Sequence, residues 1–221
     1  MKSDIISSWE KNASEWIKVI QDNQIPSRKF TNKAILETVA SLDCKKLADI
    51  GCGEGWLTHE ISKMGRQAIG FDAIEDLIVE AKKKHLGNYH VLTFEDIIEG
   101  KPIPNAPFDA AVFNFCLYLE EGLQELLENT LKSISDNGFI IIQTLHPFFL
   151  IQNELPYKSQ WLSDAWKGLP GNFEDGHSWF ARTFENWLDV LGRFKSVKIN
   201  FQEVLNKDEK PISLIIKIEK Q

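Results

Sequence analysis

A short apolar segment running straight into a glycine-dense turn is the feature that most constrains this chain. Leu47-Ala48-Asp49-Ile50 leads into Gly51-Cys52-Gly53-Glu54-Gly55, and Trp56-Leu57-Thr58-His59-Glu60-Ile61 continues with helical spacing. Strand, glycine turn and helix in that order make the first β-turn-α of a doubly wound fold, where backbone must approach a ligand closely. The glycine spacing narrows the ligand. A dinucleotide turn requires G-x-G-x-x-G, whereas here the pattern is G-x-G-x-G, with bulky Trp56 in place of a third-spaced glycine and Asp49 just before the turn. An acid there repels a pyrophosphate and suits a nucleoside ligand that carries an ammonium group.

On these residues the chain resembles the class I S-adenosylmethionine-dependent methyltransferases, whose first motif has the form acid-x-Gly-x-Gly-x-Gly. The resemblance implies S-adenosylmethionine as cofactor, with Asp49, Gly51, Cys52, Gly53, Gly55 and Trp56 around its amino acid part. Next, Ala68-Ile69-Gly70-Phe71-Asp72 ends in an acid about twenty residues after the glycines, where a carboxylate can accept hydrogen bonds from both ribose hydroxyls. Asp72, with Ala73 beside it, is therefore a ribose candidate; the same acid can equally cap the helix expected to start near Ile74. The segment from Tyr89 to Ile97 also closes with acids. By resemblance Glu95 or Asp96 pairs with the adenine amino group and backbone at Ile97 reads the ring, while helix capping is the competing role for both acids. Beyond Phe108, the run Ala110-Ala111-Val112-Phe113-Asn114-Phe115 passes from buried-strand character to a polar end, which the resemblance sets beside the transferred methyl group. Asn114-Phe115-Cys116-Leu117 lacks the paired prolines of enzymes that methylate exocyclic amines in DNA, which counts against a nucleobase substrate.

The remaining pattern completes an α/β architecture. Residues 138–145 read as a buried central strand, preceded by an amphipathic helix over 123–134 and a turn at 135–138. Residues 194–204 and 211–220 are strand patterns joined by a short polar connector, a hairpin. The expected fold is a Rossmann-like, seven-stranded, mostly parallel sheet with the last strand antiparallel, plus a helical cap and a lid insertion after strand five. At 221 residues one domain accommodates all of it: cap at 1–33, cofactor-binding core at 34–145, lid at 146–179, and terminal helix with hairpin at 180–221.

Composition excludes several function classes. A formal charge of −7, with no basic cluster beyond Lys82-Lys83-Lys84, argues against nucleic acid as the main partner. No segment has the apolar length of a membrane span, and the N-terminal residues lack a signal-peptide core, so a cytoplasmic protein is expected. Cys44, Cys52 and Cys116 have no metal-ligand spacing, and neither a zinc site nor a disulfide framework is expected.

Substrate choice is expected outside the common core. Trp9, Ala13, Trp16, Ile17 and Ile20 recur at helical spacing, and after them comes Arg28, whose guanidinium can pair with a methionine carboxylate. The long insertion carries Phe148, Phe149, Tyr157, Trp161, Trp166, Phe173 and Trp179, suited to a lid over an aromatic, apolar or cationic small molecule. Phe180, Phe184, Trp187, Leu188 and Leu191 read as the buried stripe of the following helix, and the resemblance alone implies that Arg182 and Thr183 at its start face the pocket. Where a general base is required, His146 is the first candidate and His177 the second. Two other classes stay open: a nucleotide-dependent oxidoreductase, which gives no reason for Asp49, and a noncatalytic S-adenosylmethionine-binding protein.

Overall fold

The computed structural model describes residues 2–221; Met1, the first residue of the expected cap, lies outside the described residues. Helices α1 (Lys2–Gln21) and α2 (Arg28–Ala40) precede an alternation of β1 (Lys46–Ile50), α3 (Trp56–Lys63), β2 (Gln67–Asp72), α4 (Glu75–Lys84), β3 (Asn88–Val91), α5 (Phe94–Ile98), β4 (Phe108–Asn114), α6 (Leu123–Lys132) and β5 (Ile134–Leu145). After β5 come α7 (Phe148–Gln152), β6 (Gln160–Leu162), β7 (Trp179–Ala181), α8 (Phe184–Leu191), β8 (Val197–Leu205) and β9 (Pro211–Lys220). Seven strands form one sheet in the order β3-β2-β1-β4-β5-β9-β8, and β6 pairs with β7 in a separate ribbon. From β3 to β5 every pairing is parallel, and β9 is inserted antiparallel between β5 and β8, so the expected sheet is the one observed.

Strand periodicity explains why the central strands read as continuous apolar runs. Successive side chains point to opposite faces, and here both faces are covered by helices. Ala48, Ile50, Ala111, Phe113, Ile140, Ile142, Leu214 and Ile216 pack with Leu123, Leu126 and Leu127 of α6 and Trp187 and Leu191 of α8. Their neighbours Leu47, Ala110, Val112, Ile141 and Ile215 pack on the other face with Ile35 and Val39 of α2 and Leu57 and Ile61 of α3. The chain runs outward from β1 to β2 and β3 and then returns from β3 to β4 on the other side of β1, and this reversal of strand order opens a crevice beyond the C-terminal ends of β1 and β4.

Local chemistry shifts several expected boundaries. The segment closing at Ile97 is not one strand: β3 ends at Val91, and Thr93 caps α5 through a capping box with Asp96. The turn at 135–138 lies within β5 as an irregularity, because pairing resumes at Phe139 opposite Ala110 after Ile134 opposite Phe108. Phe180 belongs to β7 rather than to the helical stripe, so the expected boundary at 179/180 falls inside that strand. Leu188 is 47% exposed, because the buried face of α8 is carried by Trp187 and Leu191.

Candidate functional site

The crevice widens into one cavity of about 860 Å³ bounded by the glycine turn, the ends of β2 and β4, helix α1 and the insertion. Of the residues singled out from sequence, Arg28, Asp49, Gly51, Cys52, Gly53, Trp56, Asp72, Ala73, Glu95, Asn114, Phe115 and His146 line it together. Gly51 adopts φ +79°, and a side chain there would meet Cys116 Cβ at 2.6 Å, so only glycine fits this corner of the turn. The N–H groups of Gly51 and Cys52 both donate to the carbonyl of Phe71, at 2.7 and 2.9 Å, tying the turn to β2.

Acids dominate one end of the cavity. Asp49 is 1% exposed; its Oδ2 accepts from Thr58 Oγ1 at 2.7 Å, and its Oδ1 has no partner. Glu54 is 3% exposed; its Oε2 accepts from Trp16 Nε1 at 3.1 Å, and its Oε1 is likewise unpartnered. Asp72 accepts from the Gly53 N–H at 2.8 Å and the Ile74 N–H at 2.9 Å, so it orders both the glycine turn and the start of α4. Burial raises Asp49 to about 7 against the opposing hydrogen bond from Thr58, and raises Asp72 to about 6 against its two backbone donors. Glu54 is also pushed up by burial, with the positive charge of Arg28 acting against it. Arg28 in turn is lowered by burial, and its guanidinium stacks 4.7 Å from the Trp56 ring. Three carboxylates against one facing guanidinium leave this end short of positive charge.

At the end of β4, Phe115 sits at φ 53°, a strained conformation for a residue with a side chain, and its N–H donates to the Gln143 carbonyl at 2.8 Å. Beside it, Asn114 Oδ1 is buried without a partner. The remaining wall is largely aromatic: Trp9, Trp16, Trp166 and Trp179 from α1 and the insertion face Phe94, Tyr118, Phe149 and Phe180.

Four expected site residues fall outside the cavity, for reasons the structure gives. Gly55 (φ +85°) is required by packing, since a side chain would meet Ala81 Cβ and Tyr89 Cε1 at 2.9 Å. Asp96 is held by its capping box with Thr93 and an ion pair to Lys101, which together pull its carboxyl pKa down to about 2. Ile97 is 1% exposed in the core beneath the sheet. His177 is buried among Tyr118, Trp166 and Trp9, with ring centroids at 5.2, 5.4 and 6.3 Å, and neither ring nitrogen has a partner. Burial lowers it to about 4, so it is a neutral packed ring at neutral pH. His146 does line the cavity, yet both nitrogens are engaged: Nδ1 accepts from the Phe148 N–H at 3.0 Å, and Nε2 lies 2.9 Å from Glu203 Oε1. That arrangement ties the end of β5 to β8. Glu54 was not singled out from sequence although it stands within the glycine turn; an acid between two glycines at a ligand-facing turn was the available signal.

A family model described as a methyltransferase domain matches residues 12–192. Among curated proteins, an uncharacterized methyltransferase of Schizosaccharomyces pombe is 33% identical over 86 residues, 39% of this chain and 33% of the relative. A ubiquinone biosynthesis O-methyltransferase of Bradyrhizobium diazoefficiens is 30% identical over 116 residues, 49% of this chain and 44% of the relative. The matches thus span between a third and just under half of these relatives' lengths. Among solved structures, an S-adenosylmethionine dependent methyltransferase from Mesorhizobium loti superposes with TM-score 0.63 at 18% identity, covering 85% of this chain and 96% of its own. The magnesium protoporphyrin IX methyltransferase from Synechocystis, with bound SAH (S-adenosylhomocysteine), gives TM-score 0.68 at 12% identity, with 100% of both chains covered. At such identities these two likenesses are of fold.

Proposed function

The chain belongs to the methyltransferase domain family, and on that premise we propose that it transfers a methyl group from S-adenosylmethionine to a small-molecule acceptor held in the same cavity. The observation that carries this reading is the acidic end of the cavity, where Asp49 Oδ1 and Glu54 Oε1 are buried without partners. Unpaired buried carboxylates are costly and are relieved by a cation. S-adenosylmethionine is such a ligand, and when bound it supplies a methyl on a sulfonium: the carbon–sulfur bond breaks as the acceptor's lone pair forms the new bond, leaving a neutral thioether.

The chain's own residues have positioning work to do, because the leaving group is already activated. Asp49 and Glu54 would hold the cationic part, Arg28 would face the carboxylate, and Asp72, which fixes the Gly53 backbone, would accept from the ribose hydroxyls. Asn114 and Phe115 bound the place where methyl meets acceptor. The aromatic wall excludes water, which would otherwise compete for the methyl group and screen the alignment. His146, with both nitrogens occupied, orients the end of β5 rather than removing a proton. The acidic balance and the ubiquinone biosynthesis O-methyltransferases among the relatives support a small acceptor. A cytoplasmic location is part of the same reading, supported by three free cysteines and, among the described residues, by no helix long and apolar enough to cross a membrane.

Calorimetric titration with S-adenosylmethionine, S-adenosylhomocysteine, NADH and NADPH tests the reading. The first two are expected to bind, and Asp72→Ala to weaken them at least about tenfold, since charge-assisted bonds of about 1.5–3 kcal/mol are lost. A preference for NADPH, or an unchanged affinity in the variant, overturns the assignment.

A further inference from the structure

The cavity wall built after β4 and by the insertion carries a buried cation that has no ion-pair partner among the described residues. Arg182 lines the cavity and is only 8% exposed. Its guanidinium donates to neutral oxygens: the carbonyls of Leu119 and, at 2.8 Å, Glu120, and Asn186 Oδ1. Those bonds use three of five N–H groups and leave two. Among the described residues no acid lies within ion-pair distance of it. Glu120 is the nearest negative influence, but it is exposed and its carboxylate accepts from Trp161 Nε1 at 2.6 Å. Nor does α8 offset the charge, because Arg182 immediately precedes the N-cap Thr183, where the helix presents its positive end.

Holding Leu119 and Glu120 in place does not require a full charge. A neutral amide can donate to the same carbonyls without the desolvation that pulls Arg182 down to about 10. The guanidinium is instead held in a fixed plane by two rings of the same wall, Phe180 at 4.9 Å and Trp187 at 5.6 Å. A rigid, weakly hydrated cation with free single N–H donors on Nε and Nη1, both Nη2 hydrogens being taken, and with apolar rings around it is suited to the anionic end of an apolar body. The other charged side chains of this part of the wall, Asp164 and Lys167, are exposed, and His146 is committed to Glu203.

Building on the methyltransferase reading, we propose that Arg182 selects the acceptor: an apolar, ring-bearing molecule that carries one carboxylate, seated with its anion on this guanidinium. The cavity is then electrically polarised, with acids at the glycine turn for a cationic cofactor and a cation on the wall beyond β4 for an anionic acceptor. This narrows the aromatic, apolar or cationic class expected from sequence and removes its cationic member.

Phenylacetate, phenylacetamide and phenethylamine share a ring and differ in charge, so their binding to the protein saturated with S-adenosylhomocysteine tests the proposal. Phenylacetate is expected to bind at least about tenfold more tightly than the other two, the size of one charge-assisted hydrogen bond. Arg182→Gln should cut that preference to about twofold or less, and Arg182→Lys should retain most of it, with S-adenosylhomocysteine affinity reporting that each variant is folded. Equal binding of the three probes to the native protein, tighter binding of the amine, or a preference that persists in Arg182→Gln overturns it. If the glutamine variant does not fold, Arg182→Met, which keeps an apolar stem and removes the charge, takes its place with the same loss of preference expected, and a preference that persists in it overturns the proposal. The probe series is repeated without S-adenosylhomocysteine, so failure of that ligand to bind defeats the cofactor reading while leaving the anion preference measurable.

Discussion

Asp49 should couple cofactor affinity to pH with a sign opposite to that of folding stability. Burial raises its carboxyl from 3.8 to about 7. At about 1.36 kcal/mol per pH unit, that is a penalty of about 4 kcal/mol on the ionised folded state. The folded protein without ligand holds this proton more tightly than the unfolded chain does, so the Asp49 contribution to stability falls as pH rises from about 4 to 7 and is flat above, while His177, lowered to about 4, contributes with the opposite sign. A cationic ligand favours the ionised form and expels the proton. Below pH 7 the dissociation constant should therefore rise about five- to sixfold from pH 7 to 6 and about ninefold from pH 6 to 5, about a fiftyfold weakening from Asp49 alone. Asp72, at about 6, adds a second, smaller contribution over the same range. Titration calorimetry with S-adenosylmethionine at pH 5, 6 and 7, in buffers of differing ionisation enthalpy, reads both affinity and proton release. Asp49→Asn keeps the acceptor for Thr58 but removes the charge. It should lose the Asp49 share of the pH dependence, weaken binding at pH 7, and raise the melting temperature of the free protein at pH 8. A native affinity that is level from pH 5 to 7, proton uptake on binding, or a free Asp49→Asn protein less stable than the native one at pH 8 would each refute the reasoning.

Two further expectations concern the frame around the cavity. Gly51→Ala forces a side chain to φ +79° within 2.6 Å of Cys116 Cβ, whereas Gly65→Ala at the same φ meets nothing within 4 Å; thermal denaturation should show the first losing several degrees more than the second, and equal losses would remove steric crowding as the cause. Asn12 joins α1 to the insertion through Nδ2 to the Glu174 carbonyl at 2.7 Å and Oδ1 from the Glu174 N–H at 2.9 Å. Asn12→Ala should speed amide exchange across residues 171–176 by roughly tenfold, the worth of about 1–3 kcal/mol of lost buried bonding, while unchanged protection there would show that the insertion is held by its aromatic contacts alone.

What the sequence makes legible follows from the range of the interactions involved. The order of the sheet rests on apolar runs and glycine turns, each encoded within a few residues, and Asp49 and Asp72 are marked by their places at strand ends. Glu54 became part of the site through Trp16 and Arg28, which lie 38 and 26 residues away in sequence, and no local pattern announces that meeting. Asp96 failed in the other direction: Thr93-Phe94-Glu95-Asp96 is itself a capping-box spacing, and that local chemistry claimed the carboxylate before any ligand could. For His177, a polar residue in an aromatic insertion resembles a catalytic group until the packing shows it enclosed by Trp9 and Trp166. Arg182 was visible as a charge at a helix start, but its meaning depends on the absence of an acid partner in three dimensions, which a sequence does not display.

The same reasoning explains why the acids are tolerated before a ligand arrives. A penalty of about 4 kcal/mol at Asp49 equals the burial of roughly two large apolar side chains, at about 1.5–3 kcal/mol each. Phe71, Phe108 and Phe113, fully buried in the core that the sheet packs against its helices, offset it. Thr58 does the local part, stabilising one oxygen and leaving the other free. Adding a second donor, to Oδ1, beside that hydroxyl would make the free protein more stable and the cavity less selective for a cation. The unpaired oxygen is thus where stability and recognition oppose each other, and its measurable trace is the stability that the free native protein loses between pH 5 and pH 8 relative to Asp49→Asn, a difference from which the opposite contribution of His177 cancels.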